Sequence, residues 1–128
     1  MLDIRTHHKI KQSLCGKPVA TADGSSKVEL VTTSEMAADE SGLVHGGFVF
    51  GLADYAAMLA VNHPNVVLGS AEVKFLKPVK IGDTLKARAS VQTVGGKKQI
   101  VNVVVQNGNI NVLAGNFTCF VLETHVLS

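Results

Sequence analysis

Charge, cysteine and aromatic side chains are all scarce in this chain of 128 residues, and each shortage removes a class of function. Charged residues make up 17% and hydrophobic residues 46%, which excludes the charge-rich, core-poor composition of a disordered chain. The 12 lysines and arginines stand against 10 acidic residues, scattered and without interleaved aromatics, so the clustered basic face of a nucleic-acid binder is missing. The two cysteines, Cys15 and Cys119, belong to no CxxC or Cys/His spacing, so neither a disulfide framework nor a metal site is expected. Residues 1–14 carry charges and two histidines where a signal peptide needs an apolar core, and with reduced thiols as the default this predicts a cytoplasmic protein. The one long apolar run, residues 46–61, is shorter than the roughly 20 residues of a spanning helix and holds Asp54 near its middle, so no membrane partner is expected.

What is present reads as one domain over residues 1–128, long enough to bury a core and too short for a second module. Residues 1–17 form a leading extension, with weak helical spacing of Ile4, Ile10 and Leu14 over Asp3–Leu14. Ala22-Asp23-Gly24 marks a turn between two short strands in Val19–Thr33. A polar loop, Ser34–Val44, leads into a central helix over residues 46–62, which His63-Pro64-Asn65 stops. Beyond it, Ala71, Val73 and Phe75 alternate with Ser70, Glu72 and Lys74, as Leu85, Ala87, Ala89 and Val91 do with Lys86, Arg88, Ser90 and Gln92, which gives each strand one buried face. Turns at Pro78–Asp83, Gly95-Gly96 and Asn107-Gly108 join four strands into an antiparallel meander. A helix apolar nearly all round must be wrapped, so the expected class is α+β, with a curved antiparallel sheet of five to six strands around one helix.

Asp54 is the sharpest anomaly, a carboxylate between Gly51-Leu52-Ala53 and Tyr55-Ala56-Ala57. Burying it ionised and unpartnered costs several kcal/mol, so it either pairs with a lysine or amide at a wet seam or serves as a nucleophile or general base. His45-Gly46-Gly47 stands at the helix entry, where the first amides are unpaired donors at the positive end of the dipole. Without a Cβ on Gly46 or Gly47, a carbonyl oxygen could approach as in an oxyanion hole; alternatively the glycines make a tight entry and His45 caps it. Eight residues of helix separate Gly46 from Asp54, about 12 Å, so one carbonyl cannot touch both unless Asp54 comes from a second subunit across a two-fold axis.

The run Gly42-Leu43-Val44-His45-Gly46-Gly47 followed by Gly51-Leu52-Ala53-Asp54 resembles the PaaI-like hotdog-fold acyl-CoA thioesterases, and the likeness continues through Gly69–Asp83. That family has an acid nine residues after the histidine, matched by Asp54, and an asparagine six before it, where this chain has Asp39. The resemblance implies hydrolysis of acyl-CoA to acid and CoA: Gly46 gives an amide to the thioester oxygen, Asp54 attacks or activates water, and His45 supports the loop. Gly47, Leu68 and Ser70 would contact substrate, and Asp39 stands in the catalytic neighbourhood as a carboxylate in place of the amide. No cofactor is implied beyond coenzyme A as part of the substrate, and the assembly implied is a homodimer with shared sites, paired again into a homotetramer. Lys74, Lys77, Lys80, Lys97 and Lys98 could meet CoA phosphates, although solvated strand edges explain each equally simply.

Two other readings compete. Gly69–Asp83 also resembles the malonyl-CoA-binding domain of the regulator FapR, which leaves a non-catalytic acyl-CoA sensor open; the roughly eighteen residues before the first strand are too few for a helix-turn-helix. A hotdog dehydratase ranks third, since His45 is followed by Gly-Gly rather than by a proline-rich loop.

Overall fold

Two hairpin strands, β1 (Lys17–Ala22) and β2 (Ser25–Val31), precede the central helix, and β3 (Val66–Phe75), β4 (Thr84–Gly95), β5 (Lys98–Asn107) and β6 (Ile110–Val121) follow it in the computed structural model, which describes residues 1–128. All six strands join one antiparallel sheet in the order β1-β2-β4-β5-β6-β3. This is the α+β hotdog arrangement. The expected four-strand meander is corrected in one respect: β3 does not neighbour β4 but crosses to the far edge and pairs with β6. Asn107-Gly108 and Gly95-Gly96 mark their hairpins one residue early. The two-residue loops are Gly108-Asn109 and Gly96-Lys97, because Gly108 (φ 62°) and Gly96 (φ 59°) supply the left-handed first position of the turn.

The central helix, Gly46–Val61, lies across the concave face. The short helix Gln12–Cys15, which precedes it in the chain, is α1, and Gly46–Val61 is α2. Leu52, Ala53, Ala56, Ala57 and Leu59 of α2 are fully buried against Val28, Leu30, Leu85, Ala87, Val101, Val103 and Val105 from the sheet. Each large aliphatic side chain so buried contributes about 1.5–3 kcal/mol relative to exposure. Ser26, buried on β2, donates its hydroxyl to the Ala56 carbonyl at 2.6 Å and so locks helix to sheet without leaving an orphaned polar atom.

The helix stops at Asn62, before the proline. Asn62 adopts the left-handed conformation (φ 52°) and its amide bonds the Met58 carbonyl at 2.8 Å. Its side chain then accepts from the Arg5 amide at 2.7 Å and donates to the Asp3 carbonyl at 2.8 Å. That exchange explains why Asp3–Leu14 is not the helix its spacing suggests: only Gln12–Cys15 is helical, and residues 2–11 run as a strap tied to α2 and to Thr21. Tertiary hydrogen bonds outweigh a weak local propensity here.

β4 shows the predicted single buried face through Leu85, Ala87 and Ala89, but β3 does not. Ala71 is exposed and Phe75 keeps 56% of its surface in solvent, although both face α2. β3 is one of the sheet's two edges, the one beside an uncovered stretch of helix.

Candidate active site

The loop carrying His45-Gly46-Gly47 is fixed from several sides. The Val44 amide donates to the Val79 carbonyl (2.8 Å), the His45 amide to Met36 (2.9 Å) and the Ile81 amide to Gly42 (2.9 Å). Asp39, fully on the surface, accepts the Ser41 and Leu43 amides on one carboxylate oxygen at 2.9 and 3.3 Å. It acts there as a turn-forming side chain, a role either Asp or Asn fills. His45 occupies the N-cap position with extended backbone (φ −62°, ψ 131°) but makes no capping hydrogen bond. Its imidazole stands edge-on to Phe48 at 6.3 Å, within 3.0 Å of where a Cβ on Gly47 would sit.

The amides of Gly46 and Gly47 donate to no acceptor in the chain, whereas the Phe48 amide is taken by the His45 carbonyl at 3.0 Å. Two free donors therefore face outward at the positive end of α2.

Asp54 lies two turns further along, on the stripe that runs from exposed Gly47 through half-buried Phe50 and Gly51. One carboxylate oxygen, Oδ1, is enclosed and has no hydrogen-bond partner. Burial alone pushes the carboxyl up to about 6, with no cation offsetting it, so the lysine-paired alternative is not realised. Phe50 packs on Phe117 at 5.4 Å, which turns this stripe towards the inward row of β6, and Cys119 is the next inward residue of that row. Burial first and the charge of Asp54 second push the Cys119 thiol up to about 12; the same two causes raise Cys15 on α1. Both thiols stay protonated and are poor nucleophiles.

The remaining candidates separate. Leu68 pairs with Cys119 and shares its inward face, on Asp54's side of the sheet. Ser70 pairs with Thr118, whose neighbours Phe117 and Cys119 point inward, so Ser70 turns away from α2 into solvent. Asp39 and Asp54 do not meet within one chain. Of the lysines, Lys77 lies on the rim of a groove of about 300 Å³ that opens beside Gly46, between the loop and the end of β3. Phe75 was not among the candidate residues, yet its ring packs over Gly46, 3.3 Å from where a Cβ there would be. The alternation that turned Phe75 inward was its only signal in the sequence. Three larger grooves lie elsewhere, two of about 400 Å³ along β1 and β2 and one of about 380 Å³ between the strap, the first hairpin turn and the end of α2, and Asp54 lines none of the five main grooves of the isolated chain.

Comparison with known proteins agrees with this architecture. A protein from Pyrococcus horikoshii, PH1136, superposes with TM-score 0.98 at 57% identity over 99% of this chain and 98% of its own. The Escherichia coli PaaI protein of the phenylacetic acid degradation operon superposes with TM-score 0.81 at 25% identity, covering 89% of this chain and 84% of that one. Among curated sequences, a protein of Aquifex aeolicus named methylthioribose-1-phosphate isomerase is 54% identical over 95% of this chain, but the match spans only 27% of that protein's length. FapR of Caldanaerobacter subterraneus is 30% identical over 74% of this chain, again about half (48%) of the relative. The thioesterase superfamily model matches residues 41–114, the stretch from the glycine loop through α2 to the middle of β6, and to that superfamily, with its PaaI-like hotdog relatives, this chain belongs.

Proposed function

We propose that the protein hydrolyses acyl-CoA thioesters in sites shared between two copies of the chain. The amides of Gly46 and Gly47 from one subunit polarise the thioester carbonyl, and Asp54 of the other attacks it or activates water. The carrying observation is the enclosed, unpartnered Oδ1 of Asp54, on a carboxyl raised to about 6, some distance from two free helix-terminal amides. A carboxyl of that acidity is about nine-tenths ionised at pH 7, ready to act as base or nucleophile in a desolvated place. The helix separation of about 12 Å requires the second copy. The free edge of β3, with Ala71 and Phe75 uncovered beside the Gly47–Asp54 stripe, offers a surface for it.

Gly46 allows an unusually clean test. It is the first helical residue, where proline is tolerated, and the extended backbone of His45 suits a residue before proline. Gly46→Pro deletes the amide donor, whereas Gly46→Ala adds a Cβ and keeps it. Released CoA thiol is measured over a panel of acyl-CoAs; the proline variant is expected to lose about 10²–10³ in kcat and the alanine variant far less. Sharing of the site is read by mixing Gly46→Pro with Asp54→Ala subunits after joint unfolding. Each heterodimer regains one intact site, so about a quarter of wild-type activity returns, and none returns if each chain holds its own site. The FapR likeness favours a second reading, binding without turnover, which gains if acyl-CoA binds and no thiol is released.

A further inference from the structure

We infer that the outer face of the sheet, over β1, β2 and β4, carries a second binding site, taken by a phosphorylated small molecule whose phosphate lies between Lys27 and Arg88. The inference does not depend on the thioesterase reading. Along β2, Ser26, Val28 and Leu30 point into the core, so Ser25, Lys27 and Glu29 point out; along β4, Lys86, Arg88 and Ser90 do the same between buried Leu85, Ala87 and Ala89. The register makes Lys27 and Arg88 direct cross-strand partners. Like charges set opposite each other oppose the pairing of two strands, and an anion between them removes that repulsion.

The nearby acids face elsewhere. Glu29, the one acid among the outward positions of these strands, stands opposite Lys17 on β1 and Lys86 on β4, and only diagonally to Arg88. Asp23, in the hairpin turn, lines the groove under the strap with Asp3 and Arg5. Four cations against one acid leave the outer face of β1, β2 and β4 at +3, above the +2 of the whole chain, so the surplus is concentrated here. Ala20 lies beside Lys27, Ala22 beside Ser25, and Ser90 across from Ser25; with the two cations they line a groove of about 400 Å³. Ser26 and Thr21 already donate their hydroxyls, to the Ala56 and Leu2 carbonyls. Ser90 only accepts, from the Gln92 amide at 2.8 Å, so its hydrogen is free, as is that of Ser25. About 7 Å of strand separates this serine rung from the cationic rung, and about 5 Å separates the strands. Two cations and two hydroxyl donors with no carboxylate among them suit an oxyanion: Arg88 forks onto two phosphate oxygens and Lys27 supplies a point charge. Ala20 and Ala22 floor the groove for the organic group that the phosphate carries. Because α2, with Gly46 and Asp54, lies across the concave face, the sheet stands between this ligand and the candidate active site.

The test is amide NMR of the intact protein at about 0.15 M salt, where exposed charges are screened beyond about 8 Å, with inorganic phosphate and phenyl phosphate as probes. Saturable shifts confined to residues 25–27 and 88–90 are expected with both, the ester binding about threefold tighter or more through its ring. Lys27→Gln and Arg88→Gln are each expected to weaken phosphate about tenfold or more, and Arg88→Lys, which keeps the charge and loses the fork, by less. Lys9→Gln takes the same charge from the strap and should change binding about twofold or less. If a glutamine variant fails to fold, Arg88→Lys against Lys9→Gln carries the comparison. Shifts spread over the other lysines, an equal loss in Lys9→Gln, or no shift at these strands up to about 20 mM phosphate means a diffuse counter-ion cloud and overturns the site. Coenzyme A is then added to the phosphate complex. Phosphate that stays in place supports a separate site, whereas phosphate displaced from Lys27 and Arg88 makes the anion the coenzyme's own and overturns it. Neither result touches the hydrolase reading, which thiol release decides.

Discussion

Replacing Asp54 by asparagine is expected to stabilise the fold while abolishing its chemistry, and the amount follows from the site. The carboxyl moves from 3.8 to about 6 on burial. The folded chain therefore holds more protons than the unfolded one between those values, so stability contributed at Asp54 is greatest below pH 3.8 and is lost as pH rises to about 6. Two pKa units correspond to about 3 kcal/mol, an upper bound reached above pH 7. Asp54→Asn removes the ionisation and keeps the shape, so its urea midpoint should match wild type near pH 3.5 and exceed it by about 1–2 M at pH 8. His7, whose pKa is lowered by burial, acts in the opposite sense: its contribution falls as pH drops below its ordinary value. Because both proteins carry His7, the difference between their curves cancels it. Unfolding is followed by circular dichroism at fixed protein concentration from pH 3.5 to 8. A difference between the two proteins that stays constant with pH would refute the reasoning, since Asp54 would then be solvated or paired when folded.

Gly115→Ala should cost more than 2 kcal/mol, because a Cβ there would stand 2.3 Å from the Glu72 carbonyl oxygen and 2.7 Å from the Val73 Cα, both backbone atoms that cannot turn aside; thermal denaturation reads it, and a change below about 0.5 kcal/mol would contradict the close approach of β3 and β6. Asp39→Asn should leave both the rate and the stability nearly unchanged, since an amide oxygen can accept the Ser41 and Leu43 amides as the carboxylate does. A rate change above tenfold in thiol release would instead bring Asp39 into the reaction.

The helix, the first hairpin and the faces of β4 were legible because their signals are local: an apolar run of fixed length, a turn tripeptide, a strict alternation. Asp54 was legible for the converse reason, as the single charge in a run where charge is costly. The crossing of β3 to the far edge left no trace, since strand pairing partners are not written in the period of either strand. The strap over residues 2–11 was misread as helix because what holds it, Asn62 and Thr21, lies 57 and 19 residues away. Phe75 was visible only as an inward residue; that it closes over Gly46 depends on where the strand ends relative to the loop. Ser70 entered only through the family resemblance, and the register of β3 turned it outward.

The register of β3 shifts between Leu68 and Ser70, where Gly69 stands as an extra residue with no partner on β6. Even-numbered Leu68 and odd-numbered Ala71, Val73 and Phe75 consequently share one face. A Cβ at Gly69 would sit 2.3 Å from the Phe120 ring, so the position resists enlargement. Losing the residue altogether would be milder than enlarging it, since Leu68 and Ser70 already occupy consecutive rungs opposite Cys119 and Thr118. Lineages of this fold can therefore differ by one residue at this point without disturbing what either half of the strand presents. An alignment that puts the gap a few positions later would compare pocket walls with solvent-facing side chains and misjudge which substitutions matter.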